Sequence, residues 1–516
     1  MEVTKPFVGE GAVAAARDRP LPLLLRFVSV FVLANYAALV GAYLLLDNFF
    51  DYVEPGLASV SWLVTQGQPL YAGPGAAAQH NFMYGPVLFL VNAAILKLLG
   101  PGLFTSKLGA GLFALLSVGF LGLALRKVAG PHTALCGAAL LVLIYFAFWP
   151  FNTFIARADA LILGFVALGL WGALLPGPRA AALVLAVAAG CAVNVKAHAG
   201  FYFLPIALLM LEAHGLGWLL AAALGGAAVV LLPFLVSAEI SLSGYVAWLE
   251  VAARPGLDWS TFLDRVEQTT IFLVLPAVMV VLALDRPLER LRPWKLYLWA
   301  LGIATAAVMI VASHPGAGKV HLAPLAIPLA YWLALLMRDG FGWRSLAASG
   351  QRRVRVRAWV SAGLFTILVL TAIPVNIRMG KLAILEGRHN DAVEDIQSVL
   401  RRYPGQHVAM GYGTTDHNYL TWFRPLLVYA GNPYLIDESS MGDLQAAGRD
   451  LPPATLQALA DCRVDIWLIP KGDPPFMLGS SLGYKHLFSD RFRQAFQAHY
   501  ERRTSSRYYD LWFCRR

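Results

Sequence analysis

The stretch LPLLLRFVSVFVLANYAALVGAYLLLDNFFDYVEPGLASVSWLVTQGQPLY, residues 21–71, decides the fold of this chain. Its first part, residues 21–46, is mostly apolar with Arg26 as its only charged residue, and it exceeds the roughly 20 residues that a helix needs to cross a bilayer. The run is too long for the apolar region of a cleavable signal peptide, and no small-residue cleavage site ends it cleanly. The sequence therefore predicts a retained first span, which leads at Asp47 into a loop outside the membrane.

The composition of the whole chain agrees with a membrane protein. Of its 516 residues, 58% are hydrophobic and 14% are charged, whereas soluble domains have about 25% charged residues. A bilayer accommodates this much apolar surface, and the core of a soluble domain does not. Basic loops on the cytoplasmic side explain the net charge of +10, so we expect membrane lipids and no nucleic acid among the partners.

Hydropathy predicts about eleven spans. Lys and Arg cluster in alternate loops, which places the N-terminus inside the cell and the C-terminus outside it. The apolar segment from Pro86 to Leu99 is short and contains Lys97, and a span there would invert every later loop. We therefore predict an interfacial or re-entrant helix with both ends outside. The predicted spans are residues 23–46, 104–125, 131–149, 158–175, 180–196, 199–213, 216–237, 271–284, 296–312, 322–337 and 358–375.

The predicted fold class is mainly α, a polytopic membrane helix bundle with a small C-terminal α/β domain outside the membrane. The chain divides into a cytoplasmic tail (1–22), a transmembrane domain (23–375, with its first outer loop at 47–103) and an extracytoplasmic domain (376–516). Local patterns in the last domain predict strands at 407–412, 464–469 and 508–513 and helices at 391–402, 453–461 and 490–500.

The four cysteines fall into two groups. Cys136 and Cys191 lie in apolar stretches and are expected to be inert. Cys462 and Cys514 lie in the C-terminal domain and can pair if it faces an oxidising compartment, although the sequence leaves their distance in space open.

Residues 47–85 of the first outer loop contain Asp47, Asp51 and Glu54 and no Lys or Arg to neutralise them. Asp51 and Glu54 are three residues apart and share a face if they lie at the start of one helix. Paired carboxylates in a cleft suit a general base, because burial raises their pKa. The alternative is structural, with Asp51 capping a helix and Pro55 in its first turn. His80 lies later in the same loop.

A second set of polar residues lies where later spans reach the outer surface. Several cations at one membrane depth can bind a lipid phosphate. Two structural alternatives are snorkelling of single basic side chains and a simple pair between Arg157 and Asp159. The spacing specifies no metal site, although acidic residues and His80 leave a divalent cation such as Mg or Mn open. The set comprises Arg157, Asp159, Lys196, His198, Lys319 and His321.

These motifs resemble the C-type (GT-C) glycosyltransferases, which include the protein O-mannosyltransferases and the lipid A aminoarabinose transferase. The segments YVEPGLASVSWLVTQGQPLY (residues 52–71) and Tyr84-Gly-Pro resemble the first outer loop of that superfamily. Glu54 falls on the Glu of its Asp-Glu pair, while Val53 replaces the Asp, and Asp51 can supply the missing carboxylate. The resemblance covers about residues 20–375 and continues through RAD at 157–159, NVK at 194–196 and residues 318–324.

The resemblance implies an integral protein of the cytoplasmic (inner) membrane that acts in the cell envelope. It implies transfer of a sugar, with inversion, from a polyprenyl-phosphate donor to a hydroxyl of a glycan, lipid or protein acceptor on the outer, periplasmic face. Glu54 and Asp51 would be catalytic. The donor phosphate would bind Lys196, His198, Lys319, His321 and Arg157, while Asp159, His80 and Tyr84 would bind a metal or the acceptor. The alternatives are a lipid-linked saccharide transporter or flippase and a non-catalytic membrane scaffold.

Overall fold

A computed structural model describes residues 23–283, 287–340, 366, 369–387, 391–480 and 486–515. The predicted tail at 1–22 and most of the predicted span at 358–375 lie outside these residues. The helices of the first part are α1 Leu23–Leu45, α2 Val53–Thr65, α3 Pro86–Leu99, α4 Leu103–Ala129, α5 Pro131–Phe148, α6 Ala158–Ala173, α7 Pro178–Val195, α8 Leu204–His214, α9 Leu216–Val236, α10 Leu242–Ala253, α11 Trp259–Ala283, α12 Pro287–Leu291, α13 Lys295–Val311, α14 Ala326–Gly340 and α15 Ala372–Gly387, with 3-10 turns at Ala197–Phe203, Arg292–Trp294 and Lys319–Leu325.

Within the described residues, seven helical segments are long and apolar enough to cross a membrane. They are Leu25–Leu45, Leu103–Ala129, Pro131–Phe148, Pro178–Val195, Leu216–Val236, Leu288–Val311 and Lys319–Leu336. The mainly helical fold class is therefore confirmed, and the segment predicted as a re-entrant helix is the 14-residue helix α3.

Three predicted boundaries differ from the structure. The span predicted at 199–213 is a 3-10 turn followed by α8, because Pro205 starts a new helix. The span predicted at 271–284 is the apolar end of the 25-residue helix α11, whose polar first half lowers its hydropathy. Helix α15 crosses the predicted domain boundary at 375–376.

The C-terminal part contains a sheet flanked by helices on both faces. Its elements are α16 Asp391–Arg402, β1 Val408–Met410, a 3-10 turn at Thr415–Phe423, α17 Arg424–Tyr429, α18 Glu438–Ala446, α19 Pro453–Ala460, β2 Ile466–Pro470, α20 Asp490–His499, β3 Tyr500–Ser505 and β4 Tyr509–Cys514. The strand order is β1-β2-β4-β3, with β1 parallel to β2 and the other neighbours antiparallel.

The central strand β2 shows why the sheet has two cores. Ile466 and Leu468 pack into one apolar cluster and Trp467 and Ile469 into the other, as expected from the alternation of side chains along a strand. The three predicted strands are present, but β3 was not predicted because its sequence YERRTS is mostly polar. Cys462 and Cys514 form a disulfide, with their Cα atoms 5.9 Å apart.

The segment predicted as the first outer loop packs against the C-terminal part. The Gln79 N–H donates to the Leu435 carbonyl at 2.7 Å, and the Asp437 N–H donates to the Gln79 carbonyl at 2.8 Å. The Thr455 hydroxyl donates to the Ala77 carbonyl at 2.8 Å. The loop therefore joins the helix bundle to the C-terminal part rather than standing free in solvent.

Gly85 allows the same loop to approach the end of α7. Its N–H donates to the Val195 carbonyl at 3.1 Å, and a Cβ at this position would lie 1.5 Å from the Asn194 carbonyl oxygen.

We expect Gly85→Ala to lower the melting temperature in detergent, at a cost on the order of 3 kcal/mol, because the backbone of α7 has to move. Gly119→Ala is the control, since Gly119 lies inside α4 with nothing within 4 Å of its added Cβ. Equal melting temperatures for the two variants would contradict the close approach.

Candidate functional site

Four charged side chains form a continuous row at the end of the bundle that faces the C-terminal part. Asp51 Oδ2 lies 3.0 Å from Arg157 Nη1, and Arg157 Nε lies 3.8 Å from Asp159 Oδ2. Lys196 Nζ lies 2.5 Å from Asp159 Oδ1. We call Asp51, Arg157, Asp159 and Lys196 the charged row. Buried ion pairs are costly to desolvate and contribute little net stability, so a function other than stability is the better explanation for the row.

Helix ends position the members of the row. Arg157 is the N-cap residue of α6, and Asp159 lies in its first turn, where the helix dipole favours an acid. Lys196 follows the last residue of α7 in an extended conformation. Asp51 precedes α2. Residues far apart in the chain therefore meet because the starts of α2 and α6 lie at the same level as the end of α7.

The row has hydrogen-bonding capacity that the protein does not use. Arg157 Nε and Asp159 Oδ2 are buried without a hydrogen-bond partner in the described part of the chain. The Lys196 ammonium has three N–H donors, and Asp159 accepts its only hydrogen bond among the described residues. The same ammonium lies 5.6 Å from the centre of the Tyr84 ring. Unused donors on the buried Lys196 and on Arg157, whose side chain is 17% exposed, can bind an anionic oxygen.

Two histidines flank this part of the row. The rings of His198 and His321 stack with their centroids 5.0 Å apart, and both interact electrostatically with Lys196 and Asp159. His321 Nδ1 donates to the Gly318 carbonyl at 2.8 Å, whereas His198 Nε2 is buried without a partner in the described residues. Lys319 differs, because its side chain is 63% exposed and its ammonium pairs with Asp264 at 3.8 Å.

Glu54 lies beneath the row and is fully buried. Its Oε1 accepts the Phe50 N–H at 2.7 Å, and its Oε2 accepts the Ala156 N–H at 2.8 Å and the Tyr43 hydroxyl. Burial raises the pKa of Glu54 to about 7, and the charge of Asp51 adds to this, while the hydrogen bonds oppose it. A general base has to reach the proton that it removes, and the Glu54 carboxylate is enclosed by these groups.

Asp51 fits both the structural and the catalytic interpretation given to it from the sequence. Its Oδ1 accepts the Val53 N–H at 2.8 Å, which caps the start of α2. Its Oδ2 pairs with Arg157, and its side chain is 21% exposed. Asp51 therefore offers a carboxylate oxygen that a bound molecule can reach, which Glu54 does not.

His80 lies away from the charged row. Its Nδ1 is 2.7 Å from the Tyr434 carbonyl, and its ring stacks on the Tyr434 ring. Burial lowers the pKa of His80, so the neutral ring fixes the first loop to the C-terminal part. The described residues contain no group of three or more His, Cys, Asp or Glu side chains arranged to hold a metal ion.

The C-terminal part contributes residues that the sequence analysis did not identify. Arg424, which is buried, donates from Nη2 to the Tyr52 carbonyl at 2.8 Å and pairs with Asp437 at 3.3 Å. Glu438 is also buried and interacts electrostatically with Asp51. Arg424 and Tyr52 are 372 residues apart in the chain, and no local pattern indicates a contact over that separation.

Comparison with solved structures identifies the fold. The chain is similar to ArnT from Cupriavidus metallidurans bound to undecaprenyl phosphate, with 14% identity, a TM-score of 0.54 and coverage of 95% of this chain and 97% of that one. The chain has the GT-C fold. The apo state of the same ArnT gives 13% identity, a TM-score of 0.48 and coverage of 94% and 97%. AglB, an oligosaccharyltransferase from Archaeoglobus fulgidus, gives 11% identity, a TM-score of 0.47 and coverage of 87% of this chain and 69% of that chain.

No protein-family model and no curated protein matches this chain. At these identities the likeness shows the GT-C fold alone. The fold predicted from the resemblance is thereby confirmed, and the roles of individual residues rest on the geometry described above.

The contacts of Glu54 and Asp51 predict losses of stability of different size. In Glu54→Gln an amide nitrogen replaces one acceptor oxygen, so a buried donor among Phe50, Ala156 and Tyr43 loses its partner. We expect a loss of about 1–3 kcal/mol and a clearly lower melting temperature. Asp51→Asn keeps an oxygen for the Val53 N–H and loses only a partly exposed ion pair, which contributes about 0–1 kcal/mol. Thermal unfolding of both variants in the same detergent checks this order, and the reverse order would contradict it.

Proposed function

We propose that this protein is a membrane glycosyltransferase that transfers a sugar from a polyprenyl-phosphate donor to an acceptor hydroxyl. The charged row at the end of a GT-C bundle carries this proposal, because it places a reachable carboxylate beside two cations, Arg157 and Lys196, that have unused donors. A protein of the same fold, ArnT, is bound to undecaprenyl phosphate in its crystal structure. Binding of a lipid phosphate by this chain is consistent with the chemistry of the row.

In this proposal Arg157 and Lys196 bind the donor phosphate. The guanidinium has five N–H donors and the ammonium has three, and the protein itself uses few of them. His198 and His321 lie next to Lys196 and complete the phosphate site. Lys319 is assigned a weaker role, since its ammonium pairs with Asp264. The isoprenoid chain would lie along the apolar helices, in the bilayer.

Asp51 is the general base of the proposed reaction. It takes the proton of the acceptor hydroxyl, whose oxygen attacks the anomeric carbon from the face opposite the phosphate. The bond between that carbon and the phosphate oxygen breaks, and the polyprenyl phosphate leaves with its charge stabilised by Arg157 and Lys196. This single displacement inverts the anomeric centre. Donor binding would draw Arg157 to the phosphate and leave Asp51 Oδ2 available.

The proposal assigns Glu54 a positioning role instead of the catalytic role that its motif suggested. Its two oxygens fix the backbone at Phe50 and Ala156, which are the residues before Asp51 and Arg157. We assign no role to a metal, and a divalent cation stays a prediction from the sequence.

We place the site on the outer face of the inner membrane, with the N-terminus inside. The disulfide between Cys462 and Cys514 lies in the part of the chain that covers the site. Disulfides form and persist in oxidising compartments and are rare in the cytosol. This orientation also fits a lipid-linked donor, since the proposed reaction needs no soluble nucleotide sugar.

The proposal predicts release of free polyprenyl phosphate by the purified protein. The protein in detergent is incubated with a panel of polyprenyl-phosphate sugars, with and without membrane extract, and the released lipid phosphate is measured. We expect Asp51→Asn to lower the rate about 10²–10⁴-fold, the usual contribution of a general base. Glu54→Gln is compared at equal amounts of folded protein, and we expect its rate of release to fall less than that of Asp51→Asn.

Release of lipid phosphate, measured together with transport and partner binding, separates the alternatives. A transporter or flippase would move a lipid-linked saccharide across liposomes without releasing lipid phosphate. A scaffold would keep its binding partners when the charged row is neutralised. Turnover at the wild-type rate by Asp51→Asn would exclude Asp51 as the base. Consumption of no donor with any extract would exclude the enzyme.

The phosphate site is tested with the charge of the row kept balanced. Lys196→Met alone would leave the buried Asp159 with only the more distant Arg157, at 3.8 Å, as its ionic partner, so it is combined with Asp159→Asn. Loss of a hydrogen bond to a charged group costs about 1.5–3 kcal/mol, so we expect kcat/KM for the donor to fall about 10–100-fold in the double variant. Lys97→Met, an exposed position at the end of α3, serves as the control. An unchanged kcat/KM in the double variant would contradict a role for Lys196 in donor binding.

A further inference from the structure

The C-terminal part is fixed against the residues that hold the proposed base. Arg424 Nη2 donates to the Tyr52 carbonyl. Asp437 packs against α2 so closely that a Cβ on Gly56 would lie 2.5 Å from Asp437 Oδ2. Glu438 directly follows Asp437 and begins α18. These contacts hold Glu438 next to the start of α2.

The environment of Glu438 connects it with the charged row. It interacts electrostatically with Asp51 and with Tyr52. Burial raises the pKa of Glu438 to about 8, Arg424 opposes this rise, and the charges of Asp437 and Asp51 add to it. Near neutral pH the carboxyl group therefore holds its proton for much of the time, and it can then donate as well as accept a hydrogen bond.

The hydrogen bonds of Glu438 leave most of its capacity unused. The Asn418 amide lies 3.1 Å from Oε2 and 3.4 Å from Oε1, and the carboxyl makes no other hydrogen bond within the described residues. Its neighbour Asp437 is satisfied, because it accepts from Arg424, Tyr434 and the Ser439 N–H. Both oxygens of Glu438 share a single amide donor, so the carboxyl group keeps the capacity to form a hydrogen bond with a molecule bound beside it.

We propose that Glu438 binds a hydroxyl group of a carbohydrate acceptor, so that the C-terminal part of the chain selects the acceptor. This inference rests on the proposed function. Asp51 would remove the proton from the reacting hydroxyl, while Glu438 holds another hydroxyl of the same sugar. Tyr52, which is 38% exposed, offers an aromatic surface beside both carboxyl groups.

The position of Glu438 favours the acceptor over the donor. Glu438 approaches the charged row at its Asp51 end, whereas Lys196 stands at the other end, beyond Arg157 and Asp159. A serine or threonine side chain or a simple lipid alcohol has a single hydroxyl, which the base would occupy. A sugar ring has neighbouring hydroxyls, so one can meet Asp51 while the next meets Glu438.

The test uses the full-length protein and the donor that the panel identifies. Wild-type protein and variants receive three acceptor fractions prepared from cell envelopes: oligosaccharides and polysaccharides, extracted lipids freed of sugar, and deglycosylated protein. We expect transfer to the carbohydrate fraction, with a KM for this fraction that rises at least tenfold in Glu438→Ala. The KM for the donor and the slow release of polyprenyl phosphate to water without acceptor should stay unchanged, which a merely misfolded protein would not show.

Two further variants make the result decisive. Glu438→Gln keeps hydrogen-bonding atoms and should raise the acceptor KM less, and it carries the test if Glu438→Ala melts at a lower temperature. Glu501→Gln changes a carboxyl on β3 whose side chain is 43% exposed, and it should match the wild type.

An unchanged acceptor KM in both Glu438 variants would overturn the role of Glu438. Transfer by the wild-type protein to the lipid or protein fraction instead, or to no fraction, would overturn the carbohydrate acceptor while the donor chemistry stands. If the wild-type protein consumes no donor at all, the proposed function itself fails, and that result differs from each of the others.

Discussion

The hydrogen bonds of the buried Glu54 carboxylate are the interactions on which the end of the bundle next to the C-terminal part depends. One oxygen binds the N–H of Phe50, and the other binds the N–H of Ala156 and the Tyr43 hydroxyl. The next residues along the chain are Asp51 and Arg157, which form an ion pair at 3.0 Å. A single side chain therefore fixes two backbone segments, and the ion pair follows from their separation. Hydrogen bonds to an ionised group are stronger than neutral ones, which suits a carboxylate to this position.

A buried lysine, Lys107, fixes the backbone at the beginning of the same loop. Lys107 donates to the carbonyls of Leu46 and Asn48 at 2.5 Å each and to that of Tyr43 at 3.2 Å. The last carbonyls of a helix have no partner within the helix, and a cation near that end is favoured by the helix dipole. Lys107 thus ends α1 and directs the chain into the loop, and Glu54 then fixes the loop against α6. The position of Asp51 results from both charges.

The sequence predicted those features that repeat locally. Apolar runs located most helices of the bundle, and the short apolar strands near Val408, Ile466 and Tyr509 were found for the same reason. The polar edge strand β3 was missed, because its side chains lack the apolar alternation of a buried strand. The motif around Glu54 indicated an acidic site but not which acid is reachable, since that depends on a contact with Ala156 over 102 residues. The contribution of Arg424 and Glu438 depends on still longer separations, and a single sequence contains no signal for these.

The alternation of charge in the row gives each member a partner within the protein and is compatible with the anion binding that we propose. Two acids and two bases alternate, so each cation has an anionic neighbour within the protein, and an unpaired buried charge would cost several kcal/mol. A phosphate can replace a carboxylate as the partner of Arg157 or Lys196 without leaving either cation alone. Because the row is neutral overall, net charge does not provide the selectivity for phosphate. In this proposal the selectivity has to come from the direction of the unused N–H groups. The start of α6 and the end of α7 fix this direction before the sugar donor binds.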